Sequence, residues 1–450
     1  MPPINAGDTA WVLASTALVL LMTPGLALFY GGLVRSKSVL NMMMMSFSTV
    51  GLVSVLWVAY GYSVAFTTDR YQGLFGGFEA LGLRGALDGT TGVDEHKIPV
   101  LAFAAFQLMF AIITPALISG AIADRAKFGS WLLFVGLWAT IVYFPVAHWV
   151  FGADGWILSE LKAFDFAGGT AVHVNAGAAA LALCLVLGKR VGWPKKESFK
   201  PHNVPMVLLG AGLLWFGWFG FNAGSALAAN GLSAMAFMNT QVATGAALLG
   251  WIVVEWLRDG KPTAVGGASG AVAGLVAITP ACSTVEPIGA IAIGLIAGAV
   301  CALAIGLKYK LGFDDSLDVV GVHLVGGAVG ALLIGLFATT LSGGTGDING
   351  VFYGGGFAQL GKQAIAVAAV GAYSFAVTWL LGWAIEKTVG FRLSPEAEAE
   401  GIDTAEHAES AYELSTTGGG SAFALAGIAP GPAPKAAEKT APEAEKVGAE

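Results

Sequence analysis

The chain has 450 residues, of which 56% are hydrophobic and 12% charged, with a mean hydropathy of +0.71. A charged share about half that of an ordinary soluble domain places it among polytopic membrane proteins and gives nucleic-acid binding no support. The formal charge of −7 owes much to an acidic C-terminal region, so it says little about what the apolar body recognises.

A bilayer core needs roughly 20 mainly apolar residues per helix, and stretches of that length recur from residue 9 to residue 390. Eleven are expected, near 9–33, 40–66, 98–123, 128–150, 166–188, 204–227, 234–257, 263–281, 287–310, 316–340 and 362–390. The first contains Pro24 and Gly25 and runs on as LALFYGGLVRSK rather than ending at small residues, so no cleaved signal peptide is expected. The 64 glycines are about twice the usual share, as closely packed membrane helices require; Gly266, Gly270 and Gly274 form one run at four-residue spacing. Cys184, Cys282 and Cys301 show neither metal nor redox spacing and read as packing residues.

Basic residues set the orientation, because cytoplasmic loops carry their excess. One side holds Arg35 and Lys37, Arg125 and Lys127, the run from Lys189 to Lys200, Arg258 and Lys261, and Lys308 and Lys310. The other holds only Arg70, Arg84, Lys97, Lys162 and Lys362. With an odd number of spans, this predicts a multi-pass protein of the cell (inner) membrane, N-terminus outside and C-terminus in the cytoplasm. The 67–97 connection, with three basic residues, is a mild exception.

After Phe391 the composition turns acidic, SPEAEAEGIDTAEHAESAYEL, and then to a Gly/Ala/Pro/Glu/Lys tail. Three regions follow: 1–390 membrane domain, 391–414 cytoplasmic segment, and 415–450 low-complexity tail, expected to be disordered because it cannot bury enough apolar surface to fold.

Two histidines lie inside glycine-rich apolar spans, His173 in GTAVHVNAG and His323 in DVVGVHLVGG, sharing the pattern Val-His-x-x-x-Gly. An ionisable group at membrane depth is costly unless paired or facing a cavity, so its default reading is functional; the alternative is a histidine satisfied by a backbone carbonyl. Two imidazoles in contact can share a proton. They sit five spans apart, and an odd repeat length reverses the second copy, so two five-helix halves would form an inverted repeat with the site at their interface.

Asp165, at the start of span five, either draws a cation or caps the helix, where the amides of Phe166 to Gly169 need acceptors. Phe106, Phe110, Trp149, Phe151 and Phe221 are either packing residues or ring faces for a small cation, an attraction of roughly 0.5–2 kcal/mol. Ser225 stands one helical turn after Phe221 and offers a hydroxyl acceptor. No Walker loop, GxSxG, HExxH or CxxC is present, so neither an enzyme nor a metal or cofactor is expected.

The blocks PGLALFYGGLVRSKSVLN, FQLMFAIITPALISGAIADR, DFAGGTAVHVNAG, KPHNVPM, GWFGFNAGSA, ASGAVAGLVAITPAC and DVVGVH follow one another in an order that resembles the Amt/Mep/Rh ammonium transporter family, on its bacterial Amt side. The likeness covers about residues 8–414. It implies an all-α fold of eleven transmembrane helices: an inverted five-helix repeat with a pore between its halves, plus one extra helix, assembled as a homotrimer in the lipid bilayer. His173 and His323 then correspond to the paired pore histidines, and Phe110 and Phe221, with Phe106 beside them, to the stacked phenyl gate. Phe110, Phe151, Phe221 and Ser225 correspond to the outer ammonium site, and Asp165 to the buried aspartate that shapes it. Phe151 stands where the family usually has tryptophan. A PII-type nitrogen signal protein at the cytoplasmic face is the partner the likeness implies. Ammonium uptake is the implied function, with methylammonium as an analogue; an Rh-like NH3/CO2 channel and an ammonium sensor signalling through its tail are the rival readings.

Overall fold

The structure is a computed structural model that describes residues 4–93, 95–195, 199–342 and 348–412; the 415–450 tail assigned from composition lies outside them, as do residues 413 and 414. Eleven apolar helices dominate the described residues. They are α1 (Ala6–Leu33), α2 (Val39–Phe66), α3 (Val100–Ile122), α4 (Phe128–Phe151), α5 (Gly169–Leu187), α6 (Val204–Gly224), α7 (Gly231–Asp259), α8 (Ala264–Ile278), α9 (Pro287–Leu311), α10 (Val320–Phe337) and α11 (Ala358–Thr388). Ten are long and apolar enough to cross a membrane, while α8, expected over 263–281, ends sooner and has 15 residues. A two-stranded antiparallel ribbon, β1 (Thr90–Thr91) and β2 (Ile98–Pro99), closes the long connection before α3.

The glycine spacing has a direct cause. A Cβ at Gly270 would lie 2.6 Å from Cβ of Trp251, and one at Gly274 2.6 Å from Cβ of Ala247, so α8 can lie against α7 only with hydrogen at both positions. The Val-His-x-x-x-Gly pattern works in the same way. A side chain at Gly177 would collide with the Leu324 backbone, and one at Gly327 would lie 2.9 Å from Cβ of His173. The glycine one turn after each histidine therefore lets α5 and α10 cross where the histidines sit.

Both crossing segments begin as π-helical turns, Gly169–Val174 in α5 and Val320–Leu324 in α10. Each is started by a carboxylate. Asp165 accepts from the amides of Gly168 (2.8 Å), Gly169 (2.7 Å), Thr170 (2.7 Å) and Ala171 (3.2 Å), and from the Thr170 hydroxyl. In the second segment the capping residue is Asp315, which takes the amides of Val319 (3.1 Å) and Val320 (2.7 Å). Asp318, closer to the histidine in sequence, instead pairs with Lys308 at 2.6 Å.

The two ends of the bundle are built differently. At the end where α1 starts, Asn5 binds the 95–97 loop. At the opposite end, residues 391–412 lie against the loops between helices and finish helix starts that have no cap of their own. Ser38 makes no side-chain cap for α2, and Asp403 supplies it by accepting from Leu40 N (3.0 Å) and Asn41 N (2.8 Å). Glu406 does the same for Phe128 N at the start of α4 (2.8 Å).

Candidate functional site

The histidines meet at the α5–α10 crossing. Nδ1 of His323 lies 3.2 Å from Nδ1 of His173, a distance that lets one donate and the other accept. The rings are 5.3 Å apart and inclined by 27°, and only 1% and 4% of the two residues is exposed. Nε2 of His173 has no protein partner. Both rings line a narrow cavity of about 10 Å³, room for roughly one water molecule, whose other walls are almost wholly apolar, including Leu26, Ile113, Leu214, Trp218 and Val272.

The phenyl rings stand at one end of this cavity. Phe110 on α3 and Phe221 on α6 lie 4.3 Å apart, centroid to centroid, inclined by 33°. Phe106 packs edge-on against Phe110 at 5.0 Å, and Phe221 is 6.1 Å from the His173 ring. Phe151, half-buried at the end of α4, turns its ring edge-on to Phe110 at 6.5 Å. The aromatic series Phe151, Phe110, Phe221, His173, His323 thus forms one connected path, drawn from α4, α3, α6, α5 and α10.

Ser225 ends α6 one turn beyond Phe221, and its hydroxyl donates to the Phe221 carbonyl at 2.8 Å. Its donor is used there, leaving the oxygen as an acceptor. Asp165 is half-buried rather than fully buried, and its carboxylate is occupied by the first turn of α5. The amides it serves are those of Gly168 to Ala171, whereas the Phe166 amide donates to the Pro280 carbonyl. Trp149 points elsewhere: its indole N–H donates to Leu74 O at 2.7 Å, and its ring packs on Tyr373 at 4.8 Å.

Trp218 was not singled out from the sequence. Its ring lies 5.4 Å from His173 at 22°, and its N–H is held by the Thr279 hydroxyl at 2.8 Å. The signal was its place three residues before Phe221, which puts both on one helical face.

Beyond the histidines, an ion network ties the opposite end together. Arg190 binds Asp314 through Nε and Nη2, both at 2.9 Å, and Asp124 at 3.2 Å; Arg35 reaches Asp124 at 3.4 Å. Burial alone would raise the Asp314 carboxyl, but the hydrogen bonds and charge of Arg190 outweigh it and hold the group below its ordinary range. Asp315 behaves oppositely: burial, reinforced by Asp318 and opposed by Lys308, pushes it up to about 6. The wide mouth beside these groups is lined by Arg190, Trp193, Lys200, Arg258, Lys308 and Asp318 among others. Among the described residues no group of three His, Cys, Asp or Glu side chains is arranged to hold a metal ion.

Eleven apolar helices surrounding a buried histidine pair, with stacked phenyl rings at one end of its cavity, define a polytopic helical membrane protein of the channel and transporter type. Residues 10–412 match the model of the Ammonium Transporter Family. An ammonium transporter of Mycobacterium tuberculosis is 59% identical over 443 residues, covering 92% of each chain. Among solved structures, Mep2 of Saccharomyces cerevisiae superposes with a TM-score of 0.81 at 36% identity, over 88% of this chain and 91% of that one. A protein described as a sensor Amt protein gives a TM-score of 0.82 at 29% identity, over 89% and 98% of the two chains. The chain belongs to the ammonium transporter family.

Proposed function

We propose that the protein carries ammonium across the cell membrane, taking NH4+ at the mouth formed by Phe110, Phe151, Phe221 and Ser225 and passing NH3 along the cavity beneath. The observation that carries this reading is the histidine pair at 3.2 Å lying under stacked phenyl rings in a narrow apolar cavity. Ammonium can lose a proton and become a small neutral molecule; potassium, of similar size and charge, cannot. At the mouth the ring faces and the Ser225 oxygen favour the cation. Past Phe110 and Phe221 a charge would be stripped of water with almost no polar replacement. The proton therefore leaves to the outer solvent as NH3 moves on. His173 and His323 then exchange hydrogen bonds with NH3, which is both donor and acceptor.

Orientation follows the basic residues, with the N-terminus and the phenyl mouth outside and residues 391–412 in the cytoplasm. The body, residues 1–390, is the transport domain, and 391–414 is a regulatory segment. Two inverted five-helix halves are supported by the carboxylate-started π-helical turns and matching glycines at the two histidines. The working unit is a homotrimer whose cytoplasmic mouth receives a PII-type protein. A sensor role has one specific observation in its favour, the structural likeness to the sensor Amt protein.

The test is flux into proteoliposomes, with ammonium and potassium compared at the same gradient and current recorded. Ammonium-dependent flux with potassium excluded is expected. Uptake without current eliminates the version in which the proton follows through the histidines, and equal potassium flux overturns the assignment of the pore. Signalling that persists in a transport-dead variant would establish the sensor role.

A further inference from the structure

The separation of Phe110 and Phe221 depends on how far apart α3 and α6 are held, since the rings come from different helices and share no covalent support. At the outer end of the bundle one side chain stands between the two. Asp8, in the first turn of α1, is 3% exposed. Its Oδ1 accepts from the Ala229 amide at 2.7 Å, four residues after Ser225. Its Oδ2 accepts from Nδ1 of His96 at 2.8 Å, four residues before α3 begins. We propose that Asp8 is a positioning residue for ammonium capture, stapling the outer end of the Phe106/Phe110 helix to the loop that follows Phe221 and Ser225. The inference rests on the transport reading above.

An aspartate in the first turn of a helix needs no special explanation, because the helix dipole favours it there. Two long-range bonds from a buried carboxylate do need one. A cap requires only its own amides, and that task belongs to Asn5, whose Oδ1 accepts from Asp8 N at 3.0 Å. Asn5 also fixes where Asp8 stands, through its own amide to Lys97 O (2.8 Å) and its side chain to Glu95 O (3.1 Å). One turn further along α1, the Trp11 indole N–H donates to Ala223 O at 3.2 Å, between Phe221 and Ser225. The first two turns of α1 thus grip both gate helices at their outer ends. Among the described residues of these two turns, the Asp8 carboxylate is the group whose hydrogen bonds reach both sides at once.

The bond to His96 does not depend on a charge state for its existence. An ionised carboxylate is acceptor-only, so the imidazole donates to it whether neutral or protonated. Hydrogen bonds to a charged acceptor are stronger and shorter than neutral ones. Removing the carboxylate leaves the Ala229 amide without its acceptor and frees the loop that follows Ser225. Capture at the mouth suffers, while the cavity around His173 and His323, deeper in the bundle, keeps its walls.

The test uses full-length protein in proteoliposomes, with initial rates of methylammonium uptake resolved into KM and Vmax for Asp8→Ala, Asp8→Asn, His96→Ala and His96→Gln. Asp8→Ala should raise KM about tenfold with Vmax within about twofold, and His96→Ala, at a site 36% exposed, about threefold. Asp8→Asn keeps an acceptor for Ala229 and His96→Gln keeps a donor for Asp8, so each should recover most of the KM lost in the alanine variant. The double alanine variant should be no worse than Asp8→Ala alone, because both remove one staple. Unchanged KM in the alanine variants, or a fall in Vmax alone, overturns the proposal. Should Asp8→Ala fail to fold, the His96 pair decides: an unchanged KM in His96→Ala, or no recovery in His96→Gln, overturns it equally. Wild-type liposomes without saturable uptake would overturn the transport reading and this inference with it; saturable wild-type uptake matched by every variant overturns the inference alone.

Discussion

His173 and His323 face each other through their Nδ1 atoms at 3.2 Å, on two helices that both relax into a π-helical turn at that point. The wider turn is a local departure from the i→i−4 ladder, of the kind found at functional positions. Similar turns lie inside α2 (Trp57–Gly61) and α4 (Ala139–Tyr143), but the two at the histidines occupy matched places.

Removing this pair should change what the cavity passes. His173→Ala with His323→Ala is expected to cut methylammonium uptake at least about tenfold, or to admit potassium, since both imidazoles of a mainly apolar wall are lost. Radiotracer uptake and potassium flux in the same liposomes provide the check. Unaltered uptake together with unaltered potassium rejection would refute the role.

In the proposed ammonium site, Phe151 is the point at which capture can be strengthened. Indole is the best of the aromatic cation partners, and Trp149 cannot serve because it is bound to Leu74 and packed on Tyr373. Phe151→Trp should lower KM for methylammonium about threefold to tenfold, an added attraction of roughly 1 kcal/mol. Uptake across a substrate series measures it; an equal or higher KM would show that Phe151 does not face the cation.

Asp165 should prove structural rather than a cation ligand. Its carboxylate gathers four backbone amides and a hydroxyl at the start of α5. Asp165→Ala leaves those donors unsatisfied and should destabilise the fold by about 2–4 kcal/mol. Asp165→Asn, which keeps one acceptor oxygen, should lose less. Thermal unfolding in detergent separates them; equal melting of wild type and Asp165→Ala would exclude the capping role.

Two neighbouring aspartates should pull the pH dependence of stability in opposite directions. Asp315 is pushed up to about 6, mainly by burial, so the stability it contributes is present below its unfolded value near 4 and is lost as pH rises through 6. Asp314 is held low, so its contribution is present at neutral pH and is lost as pH falls through its depressed folded value. Asp315→Asn should therefore gain stability relative to wild type between pH 4 and pH 7. Melting curves across that range test the sign, and a relative loss would contradict it.

The C-terminal segment should come loose when its caps are removed. Asp403→Ala deprives the start of α2 of the acceptor that Ser38 does not supply, at a cost of about 1 kcal/mol. Limited proteolysis within residues 391–412 should accelerate severalfold. Unchanged cleavage would mean that the segment is held by its other contacts.

Hydropathy alone was enough for the number and order of helices, because a bilayer demands a full apolar length from each span and leaves little choice of structure. The seven sequence blocks were likewise enough for the family, and the Val-His-x-x-x-Gly repetition marked the two segments that the structure crosses. What those residues did not disclose is direction. A membrane helix that is apolar all round carries no stripe to say which face meets its neighbour. Only the packed structure therefore decided that Trp149 turns from the mouth while Phe151 meets Phe110, and that Trp218 lies along His173. The same holds for carboxylates. Asp165 and Asp318 are both acids a short way upstream of a histidine, yet the amides of α10 fall to Asp315, and Asp318 goes to Lys308. Which acceptor meets which donor depends on where loops distant in sequence come together, and that is settled by tertiary folding.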